Sequence, residues 1–175
     1  GLPLPKTVKK QNRDMINNKI TVGITQGDGN GIGYEVIIKA LADARILEGF
    51  TPIVYGSSKI FGFYKKTIHN LEPMDTYVIN SAKDAKLKKI NILNCLPDNV
   101  YVEPGLPSVE SAKCAITSLE RAVEDLRNGE IDVLITGPIN KREMVNAGFQ
   151  FTGHTEYLKE AFGVKDVTMF MISAQ

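Results

Sequence analysis

Three short apolar runs, each reaching a glycine within two residues, constrain this chain more than any other feature. Residues 20–25 (ITVGIT), 51–56 (TPIVYG) and 131–136 (IDVLIT) are rich in β-branched side chains, which favour strands. Strands that read as unbroken apolar runs rather than alternating ones belong to sheets covered on both faces. Helical patterns fall between them. Residues 34–47 place Ile37, Ala40, Leu41 and Ala44 at helical spacing, with Glu35 and Lys39 as an i,i+4 pair and Gly49 as the stop. A second helix runs to about residue 68, with Ser57 or Ser58 as its cap. The clearest covers 108–128, where Val109, Ala112, Ile116, Leu119, Val123 and Leu126 make a continuous stripe. Ser108 is its expected N-cap and Gly129 its stop.

The rest of the chain continues the alternation. Short strands are expected at 76–79 and 90–93, joined by a charged connector over 83–89. Helices are expected at 141–147 and from about Gly153 to Phe162, and a last strand at 167–172. Strands alternating with helices predict an α/β fold with a largely parallel sheet flanked by helices. Only three residues follow the last expected strand, so the layer is expected to continue beyond Gln175. Residues 1–18 are basic and lack apolar periodicity, so they read as a flexible leader, and order is expected over 19–175.

Composition narrows the function classes. Lys and Arg total 21 against 20 Asp and Glu, a net charge of +1. That balance gives no support for a nucleic-acid partner or a membrane-attracting surface. The leader lacks the apolar segment of roughly 7–15 residues that an export signal needs, and the two cysteines, Cys95 and Cys114, make no disulfide framework. A cytoplasmic location is expected on those grounds. The two histidines, His69 and His154, are too few for a three-histidine metal site in this chain.

Ligands of open α/β sheets sit outside the carboxyl ends of the strands, and three loops are expected there. The first holds Gly27, Gly29, Gly31 and Gly33. It matches neither the phosphate-binding P-loop pattern nor the dinucleotide pattern G-x-G-x-x-G. Its residues alone favour a tight turn with close helix–sheet packing. The second, T136-G-P-I-N-K141, would project Asn140 and Lys141 from a strand end, where Lys141 could meet a phosphate or carboxylate. A solvated lysine at a helix start is the commoner case. The third, F151-T-G-H-T-E156, gathers an imidazole, two hydroxyls and a carboxylate at an expected helix N-terminus, a place that favours anions. An ordinary capped helix start fits those residues equally well. Packing is the expected role of Cys114, and His69 reads as a cation at a helix end or as a solvated residue.

Together the three loops resemble one family. ITQGDGNGIGYEVIIKAL is similar to the opening motif of the 4-hydroxythreonine-4-phosphate dehydrogenases, usually close to TPGDPAGIGPE. ITGPINK and FTGHTEYL resemble their second and third motifs, in the same order and spacing. The opening loop also resembles that of isopropylmalate and isocitrate dehydrogenases, whose fold the family shares. Four positions depart from the pattern: Gln26, Gly29 and Tyr34 stand where prolines are usual, and Asn30 where Ala is. Asn140 stands where some relatives carry His.

The resemblance implies NAD-dependent (or NADP-dependent) oxidation of 4-phosphohydroxy-L-threonine, followed by loss of CO₂, in pyridoxal 5′-phosphate biosynthesis. It implies a homodimer and a divalent metal such as Zn, Mg, Mn or Co as Lewis acid. Position by position, it makes His154 and Thr155 substrate-contacting residues, with Asn140 and Lys141 as further members of the active-site loops. The family's three metal-ligating histidines match no position here, and its metal and most of its cofactor site are expected beyond Gln175. A dehydrogenase of a phosphorylated sugar acid such as 4-phosphoerythronate is the alternative within the family. A non-catalytic anion-binding α/β module is the alternative outside it. The fragment alone is expected to be inactive.

Overall fold

The structure, a computed structural model, describes residues 20–150 and 154–162. The leader over 1–18 and the strand expected at 167–172 lie outside the described residues. In chain order the elements are β1 (Thr21–Thr25), α1 (Gly33–Leu41), α2 (Ile46–Gly49), β2 (Thr51–Gly56), α3 (Ser58–Thr67) and β3 (Thr76–Ile79). A 3₁₀ turn (Ala82–Asp84) follows, then β4 (Ile90–Asn94), α4 (Val109–Arg127), β5 (Val133–Thr136), α5 (Lys141–Asn146) and α6 (His154–Phe162).

The described strands form one sheet in the order β3-β4-β2-β1-β5, with every neighbouring pair parallel. The centre of the sheet is its most buried part. All of β2 is buried, as is β1 from Val22 onward. One face carries α1 and α3, whose Tyr34, Ile37, Ile38, Leu41, Ile60 and Phe61 pack on Val22, Ile24, Val54 and Ile92. The other face carries α4, on which α5, the segment after it and α6 pack through Met144, Phe149 and Leu158. This is the expected α/β architecture.

Three local expectations are corrected. The helix expected over 34–47 breaks after Leu41. Asp43 takes the Arg45 backbone N–H at 3.1 Å and its guanidinium at 2.7 Å, and such a local side-chain bond competes with the helical ladder. The Arg45 guanidinium and N–H hold the Asp43 carboxyl down at about 2. The buried stripe of α1 is Tyr34, Ile37, Ile38 and Leu41, while Ala40 and Ala44 are exposed.

The third correction concerns α4, whose bounds, Ser108 cap and Gly129 stop match the expectation. Its sheet-facing stripe is made of small and polar residues. Ser111, Ala115, Ser118, Ala122 and Asp125 are buried, whereas Ile116 and Leu126 are only half-buried. Ser118 donates to the Tyr55 carbonyl at 2.7 Å and accepts from the Gln26 N–H at 3.3 Å. Asp125 accepts from the Tyr55 hydroxyl at 2.6 Å. Of the expected stripe, Ala112, Ile116, Leu119 and Val123 meet α5 and α6, while Leu126 packs with the sheet residues.

The charged connector before β4 is pinned by a buried asparagine. Asn91 donates to the carbonyls of Lys86 at 3.0 Å and Lys89 at 2.9 Å, and accepts from the Lys86 N–H at 2.9 Å. A buried amide with its bonds made is what lets a lysine-rich loop close over a sheet end.

Candidate functional site

All five described strands point the same way, so their carboxyl ends share one edge. Helix α1 after β1 and helix α5 after β5 lie on opposite faces, which makes the β1/β5 boundary the switch point where ligands of such sheets are held. The loops over 26–32 and 137–140 leave the sheet there. They meet backbone to backbone. Gly27, at φ +67°, lies against the Pro138 carbonyl so closely that a Cβ would collide with it. The Asp28 N–H donates to that carbonyl at 2.8 Å, and the Gly137 N–H donates to the Thr25 carbonyl at 3.0 Å. Gly27 and Gly137 therefore serve close packing of the two loops.

Two amides of the first loop are spent inside it. Asn30 N–H donates to Asp28 Oδ1 at 3.0 Å and Gly31 N–H to the Asp28 carbonyl at 3.0 Å. The Ser111 hydroxyl donates to the same Asp28 oxygen. Asn30 also reaches outward, donating to the Leu106 carbonyl at 2.9 Å and accepting from the Glu103 N–H at 2.9 Å. It thereby ties the 103–108 segment to the loop. Beneath lies an aromatic layer. Tyr34 stacks on Tyr64 with centroids 5.4 Å apart. Burial pushes both hydroxyls up, and the Asp28 charge adds to the rise at Tyr64.

The expected site residues fall as follows. Asn140 is the N-cap of α5, accepting from the Glu143 N–H at 3.1 Å. Lys141 opens that helix and is exposed. His154 opens α6 and Thr155, in its first turn, is half-buried. Residues 151–153 of the third motif, and the His154 side chain, lie outside what the structure describes. Helix α6 is anchored on α4 and α5 by Leu158, Ala161 and Phe162. Among the described residues no group of three or more His, Cys, Asp or Glu could hold a metal ion. The metal expected from the resemblance does not fit these residues. No helix among them is long and apolar enough to cross a membrane.

Sequence reasoning missed Ser111, Ser118 and Tyr64. The two serines had a signal, since they recur seven residues apart on a face of α4 that an apolar count ignores. The Cys95 thiol is pushed up to about 12 chiefly by burial. Burial, with Glu110 nearby, also raises Cys114.

Comparison with known proteins gives this geometry a family. The model of the family described as pyridoxal phosphate biosynthetic protein PdxA matches residues 48–175. A 4-hydroxythreonine-4-phosphate dehydrogenase from Bacteroides thetaiotaomicron is 44% identical over 149 residues, which is 85% of this chain and 40% of that protein. A Clostridium botulinum relative, provisionally named a D-threonate 4-phosphate dehydrogenase, is 31% identical over 171 residues, 90% of this chain and 48% of that protein. The crystal structure of a 4-hydroxythreonine-4-phosphate dehydrogenase from Burkholderia phymatum superposes with a TM-score of 0.76 at 30% identity, over 89% of this chain and 47% of that one. The chain thus spans less than half the length of these relatives. With three loop motifs, a parallel sheet and a family model in agreement, the chain belongs to the pyridoxal phosphate biosynthetic protein PdxA family.

Proposed function

We infer that this chain supplies one part of an enzyme that oxidises 4-phosphohydroxy-L-threonine with NAD or NADP, with loss of CO₂, in pyridoxal 5′-phosphate synthesis. The observation that carries the reading is the family match over 48–175, which takes in both ITGPINK and FTGHTEYL. In this reading His154 and Thr155 contact the substrate. The N-terminal amides of α6 lie beside them, and a helix N-terminus favours an anionic group such as a phosphate or carboxylate. Lys141, exposed at the start of α5, is a second cationic contact for such a group, on a helix whose first turn Asn140 fixes. A nicotinamide cofactor supplies the hydride acceptor when bound. A divalent metal needs ligands other than the described residues, and a partner subunit in a homodimer is one source of them.

The test uses the full-length protein, 4-phosphohydroxy-L-threonine, NAD and a divalent cation, and follows NADH absorbance. Turnover is expected, and His154→Ala is expected to lower kcat/KM chiefly through KM. Unchanged kinetics in that variant would overturn the assignment of His154. The name of the Clostridium relative favours a second reading, a phosphorylated sugar acid such as D-threonate 4-phosphate or 4-phosphoerythronate. The ratio of kcat/KM between these acids and 4-phosphohydroxy-L-threonine decides between the two.

A further inference from the structure

The residues at which the opening loop departs from its family's proline pattern meet at one place. The Tyr34 hydroxyl donates to Gln26 Oε1. Tyr34 stacks on Tyr64, whose hydroxyl donates to the Gly29 carbonyl. Gln26 is fully buried, yet its Nε2 has no hydrogen-bond partner. Turning the amide over does not mend this, because the Tyr34 hydroxyl meets only one of its two ends. A buried amide group left unpaired is costly, so its persistence points to a partner that arrives from outside.

Gly29 is where that partner gains room. A Cβ at Gly29 would stand 3.5 Å from Gln26 Nε2, 3.7 Å from Val102 Cγ1 and 3.9 Å from Ser111 Oγ. Gln26 and Gly29 both line a cleft of about 500 Å³, and the missing side chain at Gly29 leaves one methyl-sized gap beside the Gln26 amide. Ile60, Val100 and Val102 give the cleft apolar walls, and Tyr101, 75% exposed, adds an aromatic ring. Its charges do not suit an anion. Glu103 and Glu110 line it, and its one lysine, Lys113, is held 3.5 Å from Glu110.

We propose that this cleft binds an uncharged heteroaromatic ring whose carbonyl oxygen or ring nitrogen accepts a hydrogen bond from Gln26 Nε2. Apolar walls and an aromatic side chain favour a flat ring. The single unpaired N–H calls for one acceptor on it, and the acidic lining rejects a phosphate or carboxylate. The inference stands on the cleft alone and is independent of the catalytic reading.

The test is a titration of the ¹⁵N-labelled full-length protein with adenosine, uridine and nicotinamide, with inorganic phosphate as the anionic control. The Gln26 side-chain NH₂ signal is identified by its loss in Gln26→Met. At least one of the three rings is expected to bind saturably and shift that signal, and phosphate is expected not to displace it. Gly29→Ala is expected to weaken binding by about tenfold or more. Its new Cβ makes only ordinary contacts, so the variant keeps its fold while filling the approach to the amide. Gln26→Met, which leaves Gly29 untouched, is expected to weaken binding similarly. No shift with any ring, equal binding by both variants, or displacement by phosphate would overturn the proposal.

Discussion

One added methyl group is expected to have opposite effects at two glycines, Gly137 and Gly62. At Gly137 a Cβ would stand 2.6 Å from the Thr25 carbonyl oxygen and 2.7 Å from that of Gln26. Both are backbone atoms, so no side chain can swing aside. One loop must retreat, and the retreat stretches the Gly137 N–H bond to Thr25 and the Asp28 N–H bond to Pro138. Overpacking of this kind costs about 1–3 kcal/mol, and the weakened hydrogen bonds add about 1 kcal/mol. At Gly62, inside α3, a Cβ meets nothing within 4 Å, and Ala is favoured over Gly in a helix by about 0.5–1 kcal/mol. Gly137→Ala should therefore lose about 2–4 kcal/mol while Gly62→Ala gains about 0.5–1 kcal/mol. Urea denaturation with a common slope reads both. In a chain of this size each kcal/mol moves Tm by roughly 2–4 °C, so thermal melts give a second check. A Gly137→Ala protein as stable as the parent would refute the claim that the two strand-end loops are packed backbone to backbone. A Gly62→Ala protein that loses stability would refute the space assigned to α3.

Two further outcomes follow from buried groups. Tyr55→Phe removes the donor at 2.6 Å from the Asp125 carboxylate and should cost about 1–3 kcal/mol. A double-mutant cycle with Asp125→Ala should show coupling, and strictly additive losses would sink the pairing. At high pH, Cys95, Tyr34 and Tyr55 all hold their protons more tightly than in the unfolded chain, each chiefly through burial. Protonated groups with raised values contribute stability that is complete below the unfolded value and drains away as pH rises toward the folded one. For Cys95 that window runs from 9.0 to about 12. Stability measured by urea should fall across it, and Cys95 should alkylate far more slowly than a free thiol at mildly alkaline pH; a flat profile with rapid labelling would contradict the burial.

What was legible in the sequence was whatever depends on neighbours a few residues away. The apolar runs of β1 and β2 gave their strands because both faces are covered, and Ser57, Ser108 and Gly129 marked helix ends through bonds made within one turn. The break after Leu41 was missed because Asp43 and Arg45 compete with a helix whose apolar spacing continues. Asn91 looked like any polar residue in a strand. Its role depends on Lys86 and Lys89 folding back over it, which no local pattern encodes.

The same limit explains why the opening loop was harder to judge than the family. Each departure from the proline pattern, taken singly, reads as a change in stiffness. Their effect is pairwise and non-local: Gln26 fixes Tyr34, Tyr34 stacks on Tyr64, and Tyr64 reaches back to Gly29. Prolines at 26 and 34 would have no amide and no hydroxyl to exchange, and a proline at 29 would put a ring where Gly29 leaves space. Gln26 N–H also donates to the Tyr55 carbonyl at 3.1 Å, extending the β1–β2 ladder by one bond that a proline cannot make. The four substitutions therefore act as one unit. Gln26 and Gly29 line the cleft, Tyr34 holds the Gln26 amide from behind, and Asn30 ties down the 103–108 segment beside it.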